Sequence, residues 1–211
     1  EMCIRDRPNS MVHQVYQDRD GYIWIPTFYG LFRYDGYEVR TYKSNLYTPG
    51  LLVNNNVLCV EEDYSHRLWI GTHEGLCMLD KRTGKMKKLQ LDGVSKQRLN
   101  EIHVTKENRV YLGYIRGMAY YDEMQDTLAL MTRKNCRGDV PESVNIQTLF
   151  EDVNGDLLIG TWKDGLYRYC IKENTFLHYP PLDEENSVLA LFQDSRGVMW
   201  IGTSGLSLIN I

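Results

Sequence analysis

The residues best suited to chemistry occur in five short clusters at a regular interval: Phe28-Tyr29, His73-Glu74, Ile115-Arg116, Trp162-Lys163-Asp164 and Ser204. Aromatic faces beside charged and amide side chains are what a sugar needs. Its C–H faces stack on rings while its hydroxyls take hydrogen bonds. The loops entering each first strand add Asn54, Asn55, Asn145 and Asn186. The expected binding set is Tyr29, His73, Glu74, Arg116, Trp162, Lys163 and Asp164. The competing reading makes them solvated loop tips, or a contact to a second domain or a dimer partner.

Other chemistry finds little support. His13, His66, His73, His103 and His178 show no spacing that pairs ligands for a metal or a base for a nucleophile. Cys3, Cys59, Cys77, Cys136 and Cys170 lack C-x-x-C or Cys/His spacing. Asp152-Val153-Asn154-Gly155-Asp156 has the start of a calcium loop but no downstream glutamate, and it coincides with a repeated turn. With no phosphate-binding glycine loop either, no cofactor and no metal are expected. A net charge of -4 gives no basic stripe for a phosphate backbone, so nucleic acid is set aside as a partner. No apolar run approaches the length needed to cross a bilayer.

The elements that must position the clusters come from an internal repeat. Val12 to Tyr34, Val57 to Leu79, Ile146 to Tyr169 and Val188 to Ile209 share one template, and Leu99 to Tyr121 is a degenerate copy. The template reads Asp-x-x-Gly-x-apolar-Trp-Ile-Gly-Thr-x-x-Gly-Leu. Asp18, Asp63, Asp152 and Asp194 fill the first column, with Thr105 as the exception. Trp24, Trp69 and Trp200 fill the next, with Tyr111 and Leu158 as substitutes, at steps of 45, 42, 47 and 42 residues. That period suits a four-stranded propeller blade.

Asp-x-x-Gly is a tight turn, so two strands meet there as a hairpin. Runs such as Tyr22 to Ile25 are continuously apolar and short, which reads as a strand buried on both faces. Outermost strands are expected at Tyr37 to Tyr42, Lys85 to Leu91, Leu128 to Thr132 and Phe176 to Tyr179. A small sheet with two apolar faces becomes stable by stacking on its neighbours around an axis. The fold expected is all-β: a β-propeller of five four-stranded antiparallel blades, the last incomplete, forming an open arc of a larger propeller. Blades are expected over 8–52, 53–95, 96–141, 142–183 and 184–211. Glu1 to Arg7 looks like a translated transposon-end sequencing adapter and is read as non-native.

Glu62-Asp63 and Leu68-Trp69-Ile70-Gly71-Thr72-His73-Glu74-Gly75-Leu76 resemble the two-component regulator propeller repeat, and the resemblance runs from about Val12 to Ile209. It implies the periplasmic sensor region of a Bacteroidetes hybrid two-component histidine kinase. An oligosaccharide would be the signal, a homodimer of the full-length protein would transmit it, and a downstream kinase would supply the only catalysis. Pro26, in place of the glycine after Trp-Ile, and the loss of Asp, Trp and Thr from the third blade depart from the pattern. Two rival readings remain. One is a secreted glycoside hydrolase of the xyloglucan-cleaving type, for which Glu74 and Asp164 would have to pair across the axis. The other is a structural or protein-docking propeller.

Overall fold

A computed structural model describes residues 11–44, 52–91, 97–181, 187–205 and the backbone of 209–210. Glu1 to Arg7, Asn186 and Leu206 lie outside the described residues. Strands and turns make up the described residues, without a helix. They form five separate sheets in two compact units, Glu1–Leu89 and Gln90–Ile211.

The first unit holds two antiparallel four-stranded sheets. One contains β1 (Tyr16–Gln17), β2 (Ile23–Thr27), β3 (Gly30–Tyr34) and β4 (Val39–Tyr42), and the other β5 (Val57–Glu62), β6 (Arg67–Thr72), β7 (Gly75–Asp80) and β8 (Met86–Leu89). The second unit begins with β9 (Leu99–Val104), β10 (Val110–Tyr114), β11 (Gly117–Asp122) and β12 (Thr127–Leu130). Its next sheet has β14 (Ile146–Glu151), β15 (Leu157–Thr161), β16 (Leu166–Cys170) and β17 (Thr175–Tyr179), with β13 (Arg137–Gly138) added parallel to β17. The last sheet, β18 (Val188–Gln193), β19 (Met199–Thr203) and β20 (Ile209–Asn210), is three-stranded. The added β13 differs from the expected four strands. The long connection after β12 returns along β17 and covers edge donors and acceptors that would otherwise stay open.

Position within a sheet follows polarity. Every residue of β10 and β15 is buried, as is β6 after Arg67, whereas β4 is mostly exposed. Pro26 sits inside β2 opposite Leu31. Its carbonyl accepts from His13 N at 3.0 Å, so its missing N–H faces the β1 side. There β1 is reduced to two residues, while β5, β9, β14 and β18 have six each.

The template columns have distinct structural duties. The Asp18, Asp63, Asp152 and Asp194 carboxylates each accept the backbone N–H groups two and four residues on, at 2.8 to 3.1 Å. The second oxygen takes the indole N–H of the tryptophan, at 2.7 Å for Trp24, 2.9 Å for Trp69 and 3.4 Å for Trp200. Where Leu158 replaces that tryptophan, Arg168 lies opposite it in the sheet, with Nη2 3.8 Å from Asp152. The threonine hydroxyls of Thr27, Thr72 and Thr161 donate to the carbonyls of Gly30, Gly75 and Gly165 at 2.7 to 2.9 Å and close the next turn.

The glycine before the threonine is a packing column. A Cβ on Gly160 would lie 2.6 Å from Val188 Cγ1 of the next sheet, and one on Gly113 would lie 2.6 Å from Ile146 Cγ2. Sheets can approach closely only if this position carries no side chain. We predict that Gly160→Ala lowers stability by about 1 to 3 kcal/mol through overpacking, read as a shift of the urea midpoint.

A further column joins sheets within each unit. Glu62, Glu151 and Gln193, each one residue before an aspartate, accept a backbone N–H from the preceding sheet's turn: Arg19 at 2.8 Å, Lys106 at 2.9 Å and Val153 at 3.1 Å respectively.

Candidate functional site

The expected clusters all occupy the turn between the second and third strands of their sheets. In each sheet a backbone hydrogen bond ties that turn to the segment entering the first strand. The pairs are Phe28 to Met11 at 3.3 Å, His73 to Asn56 at 2.9 Å, Ile115 to Arg98 at 3.2 Å, Trp162 to Asn145 at 2.8 Å and Ser204 to Ser187 at 3.0 Å. Within every sheet the two kinds of loop therefore lie at the same end.

In the first unit this end presents Tyr29, His73 and Glu74. Tyr29 is 50% exposed and packs edge to face on Phe28, with ring centroids 5.3 Å apart. His73 is exposed and Glu74 half-buried, its backbone N–H fixed by Thr72 Oγ1 at 3.2 Å. Asn54 and Asn55 are committed to shaping the loop. Their amide oxygens accept from Asn56 N at 2.8 Å and Ser44 N at 2.6 Å.

In the second unit the same end presents Arg116 and the longer turn Trp162-Lys163-Asp164. Arg116 is exposed, Trp162 is 48% exposed, and Lys163 takes a left-handed conformation with φ 64°. Gly165 closes that turn at φ 74°, where any Cβ would press on the carbonyl of Tyr179. Asp164 is held in place, because its carboxylate accepts from the Tyr167 hydroxyl and its carbonyl meets His178 Nε2 at 2.8 Å. The Tyr167 and His178 rings stack at 4.2 Å. Burial, then the Asp164 carboxylate, push the Tyr167 phenol well above its ordinary range. Trp162 and Lys163 are thus exposed groups on a braced turn, a geometry that can offer a ring and a cation to a ligand without first being ordered.

Two groups with displaced pKa values lie on β9, the first strand of its sheet. Glu101 and His103 alternate along β9 and so share a face. Burial pushes the Glu101 carboxyl from its ordinary 4.5 to about 7. Burial, then Lys106, lower His103 from 6.5 to about 4, and its Nε2 is buried without a partner. Sequence reasoning missed Glu101 and gave His103 no role, because an isolated Glu-x-His carries no signal until neighbouring sheets bury it.

A raised folded pKa means the neutral acid is preferred, so Glu101 costs nothing below pH 4.5 and its penalty grows as the pH rises through 7. His103 works in the opposite sense, with stability present above pH 6.5 and lost as the pH falls through 4. We predict that Glu101→Gln removes a loss of about 2 to 3 kcal/mol between pH 4.5 and 8, measured by urea unfolding at each pH.

The second unit also contains a cavity of about 590 Å³, walled by Tyr111, Tyr120, Tyr169, Met131 and Cys136 among others. It lies at the opposite end of β10 and β11 from Arg116.

Comparisons with known proteins agree with this architecture. The family model for the two component regulator propeller matches residues 6–25, 51–74 and 183–205. Among solved structures, the extracellular domain of a hybrid two component system from B. thetaiotaomicron superposes with a TM-score of 0.79 at 24% identity, over 96% of this chain and 29% of that one. A second such domain from B. thetaiotaomicron gives 0.62 at 22% identity, over 96% and 33%. Virginiamycin B lyase from Staphylococcus aureus gives 0.71 at 10% identity, over 95% and 69%. Among curated proteins, none matches this sequence. At these identities the likenesses establish the fold, a β-propeller, and the chain spans about a third or less of the two extracellular domains. The sheets and turns built from the Asp, Trp, Gly and Thr columns are therefore blades, and three stretches of the chain are similar to the two component regulator propeller model.

Proposed function

We propose that this chain is a ligand-sensing, extracytoplasmic propeller segment of a hybrid two-component sensor histidine kinase, in the periplasm. We further propose that its ligand is an oligosaccharide. The observation that carries the reading is the division of labour within the blades. The repeated columns are consumed by turns, indole pairs and sheet packing, which leaves Tyr29, His73, Glu74, Arg116, Trp162, Lys163 and Asp164 as the blade-specific groups on braced turns. The extracellular two-component domains that share the fold support the same role.

In this reading the segment binds and does not catalyse, and the signal passes by a shift in the arrangement of blades or subunits, including a homodimer of the parent protein. The likeness to a lyase keeps an enzymatic alternative in view. Sequencing the encoding gene past Ile211 tests the assignment. A membrane-spanning helix followed by kinase domains is expected, and a catalytic or carbohydrate-binding module in their place would refute it.

A further inference from the structure

We infer that the cavity between the third and fourth blades, beside Tyr111, binds a small flat aromatic molecule of indole size or somewhat larger. The inference does not rest on the oligosaccharide reading, since the cavity and the turn clusters lie at opposite ends of the strands.

The cavity lies at the position where the template places an indole. In the first two blades Trp24 and Trp69 are 1% and 0% exposed, and each donates to its aspartate. The third blade has lost both partners, with Thr105 for the aspartate and Tyr111 for the tryptophan. Tyr111 is a smaller ring that lies opposite Tyr120 on β11 and faces Tyr169 of the fourth blade. The connection from third to fourth blade, within the longest of the template steps, then supplies an outer wall with Asn135 and Cys136. The result is about 590 Å³, in the range of small-molecule sites.

The wall chemistry selects the ligand class. Tyr111 and Tyr169 meet edge to face at 6.0 Å, and Tyr169 stacks on Phe176 at 4.4 Å, so a further ring extends an existing aromatic arrangement. Met131 and Cys136 add polarisable sulfur.

The amides at the rim are already engaged. Asn135 accepts from Thr132 N at 2.7 Å and donates to Leu130 O at 2.7 Å. Asn174 accepts the Tyr169 hydroxyl at 2.9 Å and donates to Asn135 O at 2.7 Å. Of the charged groups in the wall, Arg109 lies 3.5 Å from Glu107, and Asp122 accepts from Met124 N at 3.0 Å and Gln125 N at 3.2 Å. A sugar would bring many hydroxyls to polar groups that already have partners and would lose hydration uncompensated. A flat ring with one polar atom suits it better. The Tyr120 hydroxyl has no partner among the described residues and offers a single hydrogen bond to a ring N–H or hydroxyl.

Calorimetric titration of the protein with indole and, separately, with methyl glucoside tests this. Indole is expected to bind with a Kd below about 1 mM, and methyl glucoside to give no binding heat. The double substitution Thr105→Asp with Tyr111→Trp rebuilds the template pair, puts a larger ring at the cavity wall and should weaken indole at least about tenfold while leaving the unfolding temperature unchanged or raised. Tyr120→Phe deletes one hydroxyl with little risk to folding and should weaken indole several-fold. No binding of indole, equal binding of the glucoside, or undiminished affinity in the folded double variant or in Tyr120→Phe overturns the inference.

Discussion

Replacing Lys81 by methionine is expected to destabilise the protein by about 3 to 5 kcal/mol, because it strips the counter-ion from two carboxylates that have no access to water. Lys81 Nζ lies 2.7 Å from Asp18, 2.8 Å from Glu62 and 2.6 Å from Asp20. The Asp18 and Glu62 side chains are 0% exposed and Lys81 is 8% exposed, whereas Asp20 is 47% exposed and adds little. The cluster spans the two blades of the first unit, since Asp18 also receives the Trp24 indole and Glu62 also receives the Arg19 backbone N–H. Burial alone would lower the Lys81 pKa, but hydrogen bonds to the three carboxylates outweigh it and raise it. Its contribution is therefore complete below the ordinary lysine value of about 10.4 and fades only as the pH climbs above it. Urea unfolding of the wild type and Lys81→Met at pH 7 measures the effect, and a loss under about 1 kcal/mol would mean the cluster is a solvated surface network.

The second large effect is expected at the tryptophan column. Trp69 is 0% exposed and its indole donates to a carboxylate that also holds the Ser65 and Arg67 backbone N–H groups. Trp69→Ala should cost about 3 to 5 kcal/mol from lost burial and the remaining cavity. The fourth blade shows how the column can be rewritten, with Leu158 opposite Arg168 and the arginine near Asp152. Met78 occupies the equivalent place opposite Trp69. The pair Trp69→Leu with Met78→Arg is therefore expected to be less destabilised than Trp69→Leu alone, a coupling that a double-mutant cycle of unfolding free energies reads directly.

The parts of the fold that repeat were the parts legible in the sequence. Asp-x-x-Gly predicted the hairpin turn, the apolar quartets predicted the central strands, and the polar fourth strands β4, β8 and β12 fell at the outer edge of their sheets. What the columns do between blades was not legible. The glutamate of Glu62-Asp63 and Glu151-Asp152 looks like any surface acid until the preceding blade places a backbone N–H 2.8 to 2.9 Å from it. The glycine before Thr72, Thr161 and Thr203 resembles a turn former, yet Gly160 is there to admit Val188. Strand β13 depends on a two-residue parallel contact that carries no periodicity.

For the candidate site, the turn positions could be read from the template, and the bonds tying them to the entering segments reproduce the expected common end of each blade. The aromatic cavity could not, because it arises from residues that a degenerate repeat lacks. A clue was present all the same in the simultaneous loss of aspartate and tryptophan at Thr105 and Tyr111, which leaves a smaller ring where the template has an indole.

The central claim is that recognition resides in blade-specific turns carried on structurally committed repeats. Its most direct test is calorimetric titration of an oligosaccharide panel against the wild type and the exposed-turn variants Trp162→Ala and His73→Ala. At least one oligosaccharide is expected to bind the wild type, and each variant, with its unfolding midpoint within about 0.5 kcal/mol of the parent, to bind it at least about tenfold more weakly. Undiminished affinity in both folded variants, or no binding by any member of the panel, would contradict that claim.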